Sequence, residues 1–427
     1  MISRLALSLL TVLLLLSAQT VVAPEPAQAG NRLKPMYDGE SNISLPVYFA
    51  TDRSQVVKSD KDLDYGKQII FPLDALSYGY KRMDSTCTVP DDMESLTKCG
   101  WLVYPKDLSK SKDKRAAFII ESNAEVSHAI PSFDELVTKI KGDLSVMPRK
   151  EIVIYVHGCC LSFNESMQQA ADLAGSVQTP VVAYCWGCSM GYAGSNMALP
   201  RTQERFNKFL IGMLTAFPDA KISVISSSIG TQLVHNFCLQ RRPEDYGSRK
   251  GIDELIFSRA DLDDVAFRSQ LDSVMRHSKK LIVYVSKNDF QINVSGTLRW
   301  FFFPSQHGER AGHLRSGLQL EQALTVLDVS PLKMGHIIPY ESVADILGNG
   351  GDVPTDSRLY KYQHLEDNLY RVVPQRSIFE SAAKHLRIKG KQRACDGCTR
   401  QHSWNTLGTS VLMGSDDDER DDEHNND

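Results

Sequence analysis

From Glu151 onward the chain alternates short runs of core-forming residues with longer amphipathic stretches. Ile152–Val156, Val181–Tyr184, Ile222–Ile225, Leu255–Phe257 and Leu281–Val285 are compact, apolar and rich in β-branched side chains, and Leu324–Val329 is a sixth run of that kind. Between them, Glu165–Ala174, Gln203–Phe217, Thr231–Arg241 and Asp264–His277 place apolar residues at helical spacing. Strands that are apolar throughout are buried on both faces, and strands separated by helices form βαβ crossovers. The pattern therefore predicts an α/β protein with a mostly parallel sheet and helices on both faces. Upstream, Val47–Ala50, Gln68–Phe71 and Trp101–Tyr104 read as short strands around a Gly/Asp/Pro-rich excursion. Ser132, three residues before Glu135, makes a capping box that starts a helix over Phe133–Ile140. After Gly348–Gly351 the pattern weakens, leaving Tyr360–Val373 and Ser377–Leu386 as short candidate elements.

The first 29 residues follow a different pattern. Arg4 precedes an almost unbroken apolar stretch, Leu5–Ala18, and Ala27-Gln28-Ala29 is a small-x-small site. This is the layout of a secretory signal peptide, giving a mature start at Gly30, since cleavage after Ala23 would leave Pro24 next to the scissile bond. An exported, periplasmic or extracellular protein is expected. An uncleaved leader would instead tether it to a membrane. The expected organisation is a signal peptide at 1–29, a polar linker at 30–45, a main domain at 46–350, a C-terminal extension at 351–414 and an acidic tail at 415–427.

Composition adds two points. The formal net charge of −4 hides a tail, Ser415–Asp427, with eight acids and one Arg; its −7 leaves +3 on the rest of the chain. That balance carries no electrostatic footprint for nucleic acid. Export also changes the reading of the nine cysteines, because an oxidising compartment permits disulfides. Cys87 and Cys99 form a candidate loop staple. Cys159-Cys160 and Cys185/Cys188 follow two predicted strands, where they are expected either to face each other or to be buried small hydrophobes. Cys238 falls in a predicted helix as a buried residue. Cys395-x-x-Cys398 with His402 lacks the fourth ligand that a zinc site normally needs, so no metal and no cofactor is expected.

In an open parallel sheet, ligands bind beyond the carboxyl ends of the strands. The polar residues there are His157-Gly158, Trp186, Ser226–Gly230, Asp261 with Asp263, Asp289 and His336. Ser226-Ser227-Ser228-Ile229-Gly230 lies between a strand and a helix, with small residues two positions either side of Ser228, as a sharp nucleophile-bearing turn requires. A serine hydroxyl needs an imidazole base, itself oriented by a carboxylate. Ser228, Asp289 and His336 occur in that order, each after a predicted strand, and Gly335 gives the histidine loop freedom to aim its ring. Asp261 is the rival acid, unless it and its neighbouring carboxylates cap the following helix. The oxyanion hole is expected from the backbone N–H of Ile229 and of the loop after Gly158, Cys159 first and Cys160 second.

At these positions the chain resembles a group of bacterial α/β-hydrolases of undefined function. The segments that carry the likeness are Val47–Arg53, Ile152–Gly158, Trp186, Ser228-Ile229-Gly230, Ala260–Asp263, Tyr284–Asp289 and Gly335-His336, spread over residues 46–345. The resemblance implies an α/β-hydrolase fold with Ser228 as nucleophile and an esterase-like or lipase-like activity on a small-molecule or lipid ester. It also implies a histidine immediately before the nucleophile, where this chain has Ser227. The competing reading is an inactive binding or envelope protein on the same fold, since fold alone does not fix function.

Overall fold

The computed structural model describes residues 41–59, 62–69, 76–88, 119–124 and, with short interruptions, 128–374. The leader, Trp101–Tyr104, Ser377–Leu386, Cys99, Cys395, Cys398, His402 and the acidic tail lie outside the described residues.

The strands are β1 (Ser41–Thr51), β2 (Arg53–Ser59), β3 (Asp62–Ile69), β4 (Ser77–Thr88), β5 (Ile119–Ala124), β6 (His128–Ile130), β7 (Glu151–Val156), β8 (Val181–Cys185), β9 (Lys221–Ser227), β10 (Ile252–Ser258), β11 (Ser278–Val285), β12 (Thr325–Asp328), β13 (Tyr360–Glu366) and β14 (Leu369–Pro374). Twelve of them form one sheet in the order β13-β14-β12-β11-β10-β9-β7-β8-β1-β4-β5, with β6 also on β4; β2 and β3 form a separate hairpin. Its middle, from β14 through β12, β11, β10, β9, β7 and β8 to β1, is parallel throughout.

The helices are α1 (Phe133–Val146), α2 (Phe163–Val177), α3 (Gly191–Ala216), α4 (Gly230–Gln240), α5 (Asp264–Ser269), α6 (Leu271–Met275), α7 (Phe290–Phe302) and α8 (Tyr340–Gly348). The Ser132 hydroxyl caps α1 by accepting from the Glu135 N–H at 3.2 Å. Alternate side chains of β7 feed two separate cores. Ile152, Ile154 and Val156 pack with α3 and α4, while Val153 and Tyr155 pack with α2 and α8. Both faces are therefore covered, as the continuous apolar runs predict.

Four expectations change. Residues 41–45, read from sequence as linker, belong to β1, because β4 pairs with it residue by residue from Ser41↔Cys87 to Thr51↔Ser77; ladder bonds are made by the backbone whatever the side-chain polarity. The main domain, expected over 46–350, takes in part of the C-terminal extension, since β14 continues its sheet beside β12. α3 begins at Gly191 and runs through Pro200, well before the expected start at Gln203. The helix expected over Asp264–His277 is two short ones, interrupted at Gln270. Among the described residues no helix is long and apolar enough to cross a membrane.

Candidate active site

The crossover from β7 leads to β8 on one side, and the next returns to β9 on the other. Chain direction across the sheet reverses at β7, and such a switch point opens a crevice at the carboxyl edge of the sheet. Two loops meet there: His157–Leu161 after β7 and Ser228-Ile229 after β9. The register lines up Ser227, Ser258, Tyr284 and Leu327 across β9 to β12. Ser228, Asp289 and His336 therefore all lie beyond the same edge.

Ser228 is a non-glycine residue with φ of +53°. That conformation costs about 1–3 kcal/mol and persists only where the surroundings over-determine it. Here they do. The Ser228 N–H donates to Ser258 O at 3.0 Å, and its carbonyl accepts from the backbone N–H of Thr231 and Asp261 and from the Thr231 hydroxyl. Space dictates the flanking glycines: a Cβ on Gly158 would sit 3.0 Å from Ser228 Cβ, and one on Gly230 would collide with the His157 carbonyl. Ser226, in place of the usual first glycine, is fully buried at the end of β9.

The two candidate acids lie in different environments. Asp289 is fully buried, and its Oδ2 lies 2.7 Å from His336 Nδ1 while Oδ1 accepts from the Ile292 N–H at 3.1 Å. A carboxylate accepts, so Nδ1–H of His336 donates to Asp289 and Nε2 is the ring nitrogen left for another partner. Asp261 is held elsewhere: Tyr192 donates to Oδ2 at 2.6 Å, Ser295 donates to Oδ1 at 3.0 Å, and the Arg310 guanidinium is 3.5 Å away. Helix capping falls to its neighbour Asp263, which accepts from the Ala266 N–H.

His157 is not positioned as a base. It is buried, stacked on Trp186 with ring centroids 5.4 Å apart, and lies 3.3 Å from Arg53 Nη2 through Nε2. Its Nδ1 lies 2.7 Å from Gly158 O, so Nδ1–H donates there and Nε2 accepts from Arg53. Burial, helped by the Arg53 charge, lowers its pKa to about 3. The Gly158 carbonyl is thus turned toward the imidazole. In a trans peptide the next N–H, that of Cys159, points the opposite way.

Arg53 also donates to Leu161 O and Cys185 O. Thr51 donates to Cys185 O, and Asp52 accepts from the Gly187 N–H while pairing with buried Arg205. Thr51-Asp52-Arg53, at the end of β1, therefore clamps the loop after β7 to the segment that follows β8. In the sequence these residues stand out only as the end of the family-like segment Val47–Arg53, with no role attached to them.

The state of His157 sets an acid response. Between pH about 6.5 and 3 the unfolded chain carries a proton on residue 157 that the folded chain does not, so unfolding gains as pH falls through that window. The contribution is about 1.4 kcal/mol per pH unit. His235, lowered by burial to about 4, adds in the same direction. In urea titrations at pH 4.5 and 6, His157→Gln should flatten the stability slope by about that amount relative to wild type; equal slopes would contradict a buried neutral ring.

The cysteines do not pair across the sheet. Cys185 and Cys188 are buried thiols, Cys185 lying 3.8 Å from Met167 Sδ on the α2 face. The sulfurs of Cys159 and Cys160 adjoin each other instead, near the Ser195 hydroxyl. Cys238 is a buried hydrophobe, its thiol pKa raised by burial to about 12.

Sequence reasoning also missed Arg259. The only signal was its place, a cation directly after the apolar run Leu255–Phe257 and Ser258.

No curated protein matches this chain. Residues 132–345, half of the sequence, match the family model described as alpha/beta hydrolase of unknown function (DUF900). That span runs from the cap of α1 into α8 and contains Ser228, Asp289 and His336. With the large, mostly parallel sheet and its two helical layers, the match shows that this chain belongs to that α/β-hydrolase family.

Proposed function

We propose that the protein is an exported serine hydrolase that cleaves acyl esters. Ser228 Oγ attacks the acyl carbonyl and gives its proton to His336 Nε2, while Asp289 holds the ring by its Nδ1–H. The oxyanion is met by the N–H groups of Ile229, at the start of α4 where the helix dipole is positive, and of Cys159. His336 passes the proton to the leaving alcohol, a water then attacks the acyl-enzyme with His336 as base, and the acid is released. The reaction requires no cofactor. The adjacent pair Cys159-Cys160 stiffens the oxyanion loop in the oxidised state expected of an exported chain.

The observation that carries this reading is the 2.7 Å imidazole–carboxylate bond beyond the same sheet edge as a serine held in a left-handed turn. The test is covalent. A fluorophosphonate should label the folded protein, and peptide mapping should place the adduct on Ser228. Folded protein that takes up no label would favour the non-catalytic reading.

A further inference from the structure

Arg259 follows β10, and its side chain is only 1% exposed. Its Nε lies 3.7 Å from Asp289 Oδ2, and its Nη1 donates to the carbonyl of Gly335, the residue before His336. It therefore touches the carboxylate that orients the imidazole and also the loop that carries it.

Its backbone is forced into place. φ is +52°, the Arg259 N–H donates to Tyr284 O, and Gly312 lies so close to the Arg259 backbone that a Cβ there would collide with it. Burial lowers the guanidinium pKa to about 10, with Asp289 pulling it the other way, so it remains a cation at neutral pH. Among the described residues, Nε and Nη2 have no hydrogen-bond partner. Hydrogen bonding alone is thus a poor reason for this side chain. A buried ion pair is also a weak source of stability and is often replaceable by apolar residues of similar size.

Resting on the hydrolase reading above, we infer that Arg259 is a positioning residue that pins the Asp289 carboxylate and the Gly335-His336 loop together and sets a positive charge beside the imidazole–carboxylate pair. The electrostatic part follows from sign. A cation beside the pair opposes a second positive charge on the ring and offsets part of the attraction that the carboxylate would exert on it. Removing that cation favours the protonated ring.

The other charges nearby are already engaged. Asp261 is paired with Arg310, Asp328 with Arg371, and Glu309 with His313, while Lys287 is exposed.

The test uses three variants. Arg259→Gln keeps a donor for Gly335 but no charge. Arg259→Met keeps only length. Arg259→Lys keeps the cation. In the Ser228→Ala background, where no turnover is needed, the His336 ring signal is titrated by NMR; in the active background, the acid limb of kcat/KM is recorded. The midpoint is expected to rise by about one pH unit in the Gln and Met variants and to stay near wild type in the Lys variant. kcat should drop ~10–100-fold in the Met variant, which loses the Gly335 contact.

Unmoved midpoints in folded Gln and Met variants would overturn the inference, as would a Lys variant that moves as far as Gln. A moved midpoint with no esterase activity in wild type would leave this inference standing and remove the hydrolase reading instead.

Discussion

Alanine at position 228 is expected to lower kcat/KM toward a short acyl ester such as p-nitrophenyl acetate by at least ~10⁴-fold. The size follows from what is lost. Without the hydroxyl there is no acyl-enzyme, and only the oxyanion donors and substrate positioning remain to help water attack directly. Folding should be spared, because the turn is held by Ser258 O, the Thr231 donors and the Asp261 N–H rather than by the hydroxyl. Circular dichroism and the thermal midpoint should match wild type. The neighbouring serines supply the control. Ser226→Ala and Ser227→Ala alter buried strand positions without touching the proposed nucleophile, and Ser227→Ala should retain activity within about threefold. Undiminished hydrolysis in Ser228→Ala would exclude the mechanism outright.

The sheet was legible because its strands are buried on both faces. Every residue of Val181–Cys185 is buried, and a run with no polar side needs helical cover above and below. Helix ends were less legible where local rules conflict with tertiary packing. Pro200 argues for a boundary, but α3 runs through it because Ala198, Leu199 and Thr202 are already buried on either side. The polar start of β1 carried no signal, since its pairing with β4 is a property of backbone groups that all residues share.

At the site, the strand-end residues and the order Ser228, Asp289, His336 could be read from the chain; the side chains packed around them could not. His157, at a strand end, is buried and neutral against Trp186 and Arg53, and the rival acid Asp261 is bonded to Tyr192 and Ser295 with Arg310 beside it. The side chains that do the supporting, Arg53 and Arg259, act across more than 70 residues of chain on Leu161, Cys185 and Gly335. No local pattern records such long-range contacts.

The choice between the two acids gives the second large effect. Asp289→Asn should reduce kcat ~10³–10⁴-fold, whereas Asp261→Asn should leave kcat within about threefold. Stability alone cannot produce that contrast. Each substitution strands a buried guanidinium, Arg259 in one case and Arg310 in the other, and each should lower unfolding free energy by about 3 kcal/mol in urea titrations. The difference lies in the proton. The amide introduced by Asp289→Asn can turn its NH₂ toward Nδ1 of His336, which then becomes the acceptor and moves the ring hydrogen to Nε2. An imidazole in that tautomer faces Ser228 with an N–H and cannot take the hydroxyl proton. Asp261 has no such hold on a ring, since its oxygens are already bound to Tyr192 and Ser295. Two variants equally weakened in fold and separated by about three orders of magnitude in rate would identify Asp289 as the acid. The reverse pattern, with Asp261→Asn inactive and Asp289→Asn active, would assign the role to Asp261 and leave the 2.7 Å bond to His336 without a catalytic purpose.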